Sequence, residues 1–386
     1  MRKPTPIVTL PFPRFRLQTR MMPVIAGALL AAAMLPARAE TPPDGAPPAT
    51  ERGVKTVSPE VANAVDALKQ GEPARAAAFL RTAAENGDPA AQALLGQLYA
   101  DGNGVERDLF EAGRWLRAAA ANGEPTGAYA LATLTDDGTL TPPGMDPANR
   151  EARDNEATRL YLAAANHGSV PGQIETGLRY VRGVGTAQNL TEAARWFGEA
   201  ADAGSPDAQF NLGALHASGA LNDGTPDHAT ARTWFTRAAE LGHADAQYNL
   251  GLIAAQGLGG PVDNAVAAKW FKRAADQGVA DAQSGLAYLT YQGLGVRKDE
   301  AKAAELYAKA ADQGHLVAQN RLARLYVMGR GVEADMAEAW KWHSLSTRAG
   351  FEDKELDARF AKHLTADDRA TGDARAAQWL DGRAAR

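Results

Sequence analysis

Residues 238–278 read AAELGHADAQYNLGLIAAQGLGGPVDNAVAAKWFKRAADQG, and the motif that opens and closes them, Ala-Ala-x-x-Gly, decides the fold. The same motif stands at Ala83-Ala84…Gly87, Ala119-Ala120…Gly123, Ala164-Ala165…Gly168 and Ala200-Ala201…Gly204. It returns at Ala238-Ala239…Gly242, Ala274-Ala275…Gly278 and Ala310-Ala311…Gly314, with a degenerate copy ending at Gly350. Successive glycines are 36, 45, 36, 38, 36, 36 and 36 residues apart. A period of this length marks stacked copies of one supersecondary unit, none of which can bury its apolar face alone.

Each copy reads as two antiparallel helices. After Gly242, the residues Ala246, Leu250, Gly251 and Ile253-Ala254 fall on one helical face. Several copies open with proline, as in Gly87-Asp88-Pro89 and Gly204-Ser205-Pro206, where a missing N–H costs nothing. A Gly-x-Gly turn separates the helices at Gly102-Asn103-Gly104-Val105, Gly183-Val184-Gly185, Gly293-Leu294-Gly295-Val296 and Gly329-Arg330-Gly331-Val332. Glycine there supplies the left-handed conformation that ends a helix. The second helix opens on Asp108…Glu111, Asn189…Glu192 and Asp335…Glu338, spacings that predict capping boxes.

Trp115, Trp196, Trp234, Trp270 and Trp342 each stand eight residues before a unit's final glycine, with Leu160, Leu306 and Phe79 at the same place in other copies. Gly96, Gly177, Gly213 and Gly251, followed by Ala287 and Ala323, recur in mid-helix, where glycine costs about 1 kcal/mol against alanine. A bulky neighbour must need that space, and the Trp or Leu of the second helix is the expected occupant.

Ala-Gln-x-x-Leu-Gly, Gly-x-Gly-Val, Trp and Ala-Ala-x-x-Gly recur in order, and with them the chain resembles the Sel-1-like repeats, relatives of the tetratricopeptide repeat. The resemblance implies an all-α, right-handed superhelical solenoid of about seven to eight helix pairs. It spans seven units over residues 88–350. Two departures stand out: nine extra residues around Asp136–Asn149, which include Pro142, Pro143 and Pro147, and two near Asn222. The insertion near Pro142 is expected to be a tolerated bulge rather than a binding loop.

Outside the repeats, Arg14, Arg16 and Arg20 precede an apolar run from Val24 to Leu35 and an Ala37-Arg38-Ala39 site. These are the parts of a secretory signal, expected over 1–39, in a run short for a bilayer span. No cysteine follows, which speaks against a lipid anchor. Residues 40–57 read as a Pro/Ala-rich disordered linker, 58–87 as an N-terminal capping helix pair, and 351–380 as C-terminal capping helices ahead of a 381–386 tail. The implied location is periplasmic or secreted.

Residues 1–39 hold six of the 41 Lys and Arg and no Asp or Glu, so the remainder carries 35 basic against 46 acidic residues, a net charge near −11. That balance argues against a nucleic-acid partner, which would demand a basic footprint. With no cysteine, thiolate chemistry and disulfides are excluded. Gly-x-Gly here lacks a third glycine and follows a helix, so it is not a dinucleotide fingerprint. His243 and His315 follow repeat glycines and belong to the repeat, and no metal motif occurs. No catalytic residue, cofactor or metal site is expected, and the chain is not expected to be an enzyme.

What remains is surface. First helices should line the inner side of the array, and Tyr129, Phe210, Tyr248, Tyr288, Tyr291, Asn320 and Arg324 are candidates there for gripping a partner, since aromatics and arginine are the usual anchors. Bacterial Sel-1-like proteins are interaction modules in envelope signalling, exopolysaccharide control or host contact. The resemblance therefore implies a non-catalytic scaffold or adaptor for a protein or peptide partner in the cell envelope, with no membrane insertion once the signal is removed. The alternative is a groove that grips peptidoglycan or another polysaccharide by aromatic stacking. A cell-wall or β-lactam hydrolase is a distant third reading.

Overall fold

A computed structural model describes residues 58–384. The expected export signal and linker, and the last two residues of the tail, lie outside them. The described residues form eighteen α-helices and no strand: α1 Pro59–Lys69, α2 Pro73–Glu85, α3 Pro89–Asp101, α4 Leu109–Ala121, α5 Pro125–Asp136, α6 Arg150–Asn166, α7 Val170–Arg182, α8 Leu190–Asp202 and α9 Pro206–Ala217. They continue with α10 His228–Glu240, α11 Ala244–Gln256, α12 Asn264–Asp276, α13 Ala280–Gln292, α14 Glu300–Asp312, α15 Leu316–Met328, α16 Met336–Arg348, α17 Lys354–His363 and α18 Ala366–Ala384. Two compact units divide inside α9, between Ala208 and Gln209. Each is an all-α repeat solenoid in which first and second helices alternate.

The repeated sequence signals have distinct jobs. The Ala-Gln and Ala-Ala signals work together: Gln92, Gln247, Gln283 and Gln319 each send Nε2 back to the carbonyl of the second alanine of the preceding motif, at 3.1–3.3 Å. In three of these, Asn122, Gln277 or Gln313, one unit on, then donates to the glutamine's Oε1. A buried amide is satisfied on both sides and ties each unit to the next.

In the Gly-x-Gly turn the first glycine caps its helix in the left-handed region, with φ of 63–74° at Gly102, Gly183, Gly257, Gly293 and Gly329. The second has a steric role. At Gly104, Gly185, Gly295 and Gly331 a Cβ would overlap backbone atoms at Pro73, Asp154, Asn264 and Glu300. Those residues lie at or near the start of the preceding unit's second helix, so only glycine lets the turn approach so closely.

The mid-helix glycines are sockets, but tryptophan does not fill them. A Cβ on Gly96 would meet Leu116, and on Gly177, Gly213 and Gly251 it would meet Phe197, Phe235 and Phe271. The occupant is the residue after the Leu, Phe or Trp position, one helical step of about 100° further round. Trp115, Trp196 and Trp342 are buried beside it, while Trp234 and Trp270 are half-buried. A cation from the same helix covers each indole: Arg114, Arg195, Arg237, Arg273 and Lys341 lie 4.0–4.7 Å from the rings.

The predicted capping boxes form by half. Asp108, Asn189 and Asp335 accept N–H groups from the first turn of α4, α8 and α16. Glu111 and Glu192, however, bind Arg114 and Arg195, and Glu338 binds Lys341 and Arg375. The cap residues' own N–H groups donate instead to the carbonyls of Tyr99, Tyr180 and Tyr326 in the preceding first helix. Tertiary contact thus supplies the bond that the box would have made.

The Asp136–Asn149 insertion is divided between a loop and a longer helix, since α6 has 17 residues against 13 in most others. Leu140, at its near end, is buried on Leu116, Leu131 and Leu160. At the C-terminal end Leu356, Phe360 and Ala376 from α17 and α18 close the last apolar seam.

Candidate functional site

Two of the seven surface candidates, Phe210 and Asn320, are buried, and a third, Arg324, is partly exposed but already paired. Phe210 is 3% exposed and stacks on His243, with ring centroids 4.6 Å apart, beside Phe235. Asn320 is buried and donates to Asp353 at 2.7 Å. Arg324 reaches the same carboxylate with Nε and Nη2 at 2.8 and 2.7 Å, and Glu355 with Nη1 at 3.0 Å. Burial raises the Asp353 pKa, but hydrogen bonds from Arg324, Asn320 and the Leu356 N–H outweigh it and hold the carboxyl at about 2. The pair therefore fastens the start of α17 to α15. Phe210 and Asn320 are corrections: at a helical spacing that brings a residue to the seam, an aromatic or an amide serves packing as readily as binding.

Tyr129 and Tyr248 are half-buried. Tyr129 lies 5.6 Å from Tyr161 between ring centroids, and Tyr248 lies 5.8 Å from Phe271. Burial pushes both phenols up, Tyr129 to about 12. Around Tyr129 the N-terminal unit closes on itself. Arg179 is buried, pairs with Asp136, donates to Thr158 Oγ1 at 2.9 Å and lies 4.8 Å over the Tyr161 ring. Glu175, beside them, is pushed up by burial, against the pull of Arg179 and Arg182.

Tyr288 and Tyr291 are brought together. Both border a concavity of about 120 Å³ between the first helices α13 and α15, which Gln292, Arg321, Arg324, Leu325 and Met328 also line, with the buried Tyr307 of α14 as its floor. Tyr288 and Met328 are exposed, at 43% and 41%. Arg330 donates to the Tyr291 hydroxyl at 2.9 Å, which fixes that ring. Tyr307 is 4% exposed, and burial raises its pKa against the nearby positive charge of Arg321. Arg321 itself has no hydrogen bond or ion pair among the described residues.

A larger depression, about 550 Å³, lies between the second helices α12 and α14 and carries Lys272, Lys302 and Lys309. Their charges are spent on Asp276 and Glu305 within their own helices, at 2.7–2.8 Å. The smaller concavity is the stronger candidate because its cation and phenol are uncommitted. Chemically it can bind, through a positive charge and a hydroxyl set among rings. Among the described residues no cluster of three or more His, Asp or Glu could hold a metal.

Sequence reasoning missed Tyr307 and Arg321. Tyr307 shares the register of Leu116, Phe197, Phe235 and Phe271, and was legible as the polar variant of a core position. Arg321 carried no signal, since only the fold shows which arginine is left without a partner.

The Sel1 repeat model matches residues 67–88, 89–124, 170–205, 206–243, 244–279, 280–315 and 316–351, well over half of the chain. It passes over 125–169, the unit that contains the insertion. Comparison with curated proteins gives no match. Among solved structures, a Sel1 repeat protein from Oxalobacter formigenes is 29% identical, over 79% of this chain and 86% of that one, with a TM-score of 0.59. A protective antigen of uropathogenic Escherichia coli that displays an SLR fold is 25% identical over 83% of each chain, with a TM-score of 0.40. An immunity protein from Pseudomonas aeruginosa is 18% identical over 58% of this chain and 81% of that one, with a TM-score of 0.35. With its repeat register, its solenoid units and this match together, the chain belongs to the Sel1 repeat family.

Proposed function

We propose that this protein is a non-catalytic scaffold that docks a partner polypeptide against its first-helix face, in the bacterial envelope or outside the cell. Sel1 repeats generally mediate protein–protein interaction. The observation that carries the reading here is the concavity between α13 and α15, where exposed Tyr288 and Met328 surround an uncommitted Arg321. Tyr, Met and Arg are enriched where proteins meet, and the position is the inward side that stacked helix pairs offer. The export signal read over residues 1–39 supports the location. Among the described residues no helix is long and apolar enough to cross a membrane.

Polysaccharide stacking is the weaker reading. It asked for Tyr248 and Tyr288 as platforms, and Tyr248 lies against Phe271. The test is a photo-crosslinking residue at position 288, with a second at Lys269 on α12 as a control, in cells that export the protein. Covalent polypeptide adducts specific to position 288 are expected. Equal adducts at both positions, or none, would overturn the docking reading.

A further inference from the structure

The concavity between α13 and α15 has features that ordinary packing does not require. Its volume, about 120 Å³, falls well below the roughly 300 Å³ at which small-molecule sites begin, and matches a single amino-acid side chain. The charged residues that line it, Arg321 and Arg324, are both cationic, in a chain whose net charge is −5. They differ in what they have left to give. Arg324 is satisfied by Asp353 and Glu355, whereas Arg321 has no hydrogen bond or ion pair among the described residues.

The floor repeats the pattern. Tyr307 occupies a register that Leu116, Phe197, Phe235 and Phe271 fill in other units, and where that register is otherwise polar, Tyr161 bonds Thr133 and His343 bonds Asp357. Its ring is 4% exposed, yet its hydroxyl meets no hydrogen-bond partner among the described residues. The hydroxyl is not sealed from solvent and can donate into the concavity, which a leucine or phenylalanine at this position could not do. The unpaired phenol and the unpaired guanidinium border the same small space, with the apolar surfaces of Tyr288, Leu325 and Met328 around them.

The geometry points to a recognition pocket for one carboxylate side chain, an aspartate or glutamate of the partner polypeptide, taken by the Arg321 guanidinium and the Tyr307 hydroxyl. The proposal rests on the docking reading above and deepens it. Both protein groups donate, a carboxylate accepts, and a planar fork with two oxygens is the geometry that arginine matches best. The side chain's methylene stem lies on Tyr288 and Met328, which shield the ion pair from water and so strengthen it. Arg324 stays with Asp353 and takes no part.

The probes are N-acetyl-glutamate N-methylamide and its glutamine counterpart, titrated into the protein with ring-labelled tyrosine and followed by NMR. The glutamate probe is expected to shift the Tyr307 and Tyr288 resonances with a millimolar midpoint, weakening as salt is raised. The glutamine probe should need at least tenfold more. Arg321→Gln should abolish the saturable shift, and Tyr307→Phe, which keeps the ring, should weaken it several-fold. The remaining tyrosine resonances report in the same spectra that each variant is folded. Equal response to both probes, or an unchanged midpoint in Arg321→Gln, overturns the proposal. If the position-288 crosslink forms equally in Arg321→Gln and the glutamate probe fails, carboxylate recognition falls while docking stands. If the probe binds as expected and no crosslink forms, docking falls and the pocket's chemistry stands.

Discussion

Gly177→Ala sets two general effects against each other, and the structure decides the sign. In an ordinary helix interior the exchange stabilises by about 1 kcal/mol, because alanine loses less backbone entropy. At Gly177 the new Cβ would stand 2.6, 2.8 and 2.9 Å from Cε1, Cδ1 and Cζ of Phe197. That ring is fully buried, so it has nowhere to turn. Forcing a methyl group into a filled core typically costs about 1–3 kcal/mol. The net expectation is destabilisation by about 1 kcal/mol. Phe197→Ala alone should cost about 3–5 kcal/mol. With the ring gone, Gly177→Ala should turn stabilising by up to about 1 kcal/mol, a coupling of the size expected for residues in contact. Because a solenoid can open unit by unit, native-state hydrogen exchange of the α7 and α8 amides is the assay, with urea unfolding beside it. Phe197→Val replaces the alanine variant if the latter does not fold. A Gly177→Ala protein more stable than wild type, or a cycle without coupling, would refute the socket.

Four further outcomes follow from the geometry. Gly331→Ala combines a φ of +71° with a Cβ that overlaps the Glu300 carbonyl and lies 2.8 Å from Ala301 N, so it should cost at least about 2 kcal/mol and expose the turn to protease, whereas a silent change would mean that the turn moves freely. Asp353 has a depressed pKa, so its contribution is full above the ordinary carboxylate value near 3.9 and fades as pH falls toward about 2; the stability gap between wild type and Asp353→Asn should close over that interval in thermal melts. Glu175 is raised by burial, so its carboxyl favours the fold when protonated and loses that contribution as pH rises; Glu175→Gln should be more stable than wild type at neutral pH, with the gain absent in acid. Asp299→Ala removes the acceptor for the Lys302 N–H and should cost about 1 kcal/mol, seen as faster exchange confined to the first turn of α14.

The repeat, its helix boundaries and the family were legible because they rest on local rules. Helix starts with proline or a capping aspartate, and helix ends with left-handed glycine, depend on a few neighbouring residues. The candidate site was legible in part. Tyr288, Tyr291 and Arg324 line one concavity, whereas Phe210 and Asn320 are buried in the seam. Spacing places a residue on a stripe of the helix, and the stripe facing the groove adjoins the one facing the next unit.

By itself, then, the sequence determined an all-helical array with a 36-residue step, because period, proline, glycine and capping residues act within one or two turns of chain. Only the tertiary structure decided which residue fills each socket, since one helical step separates Trp196 from Phe197 and the direction of a side chain depends on how helices cross. It also decided which charges are spent. Arg321 and Arg324 are three residues apart on the same helix, and only the approach of Asp353, 29 residues beyond Arg324, commits one of them and leaves the other uncommitted.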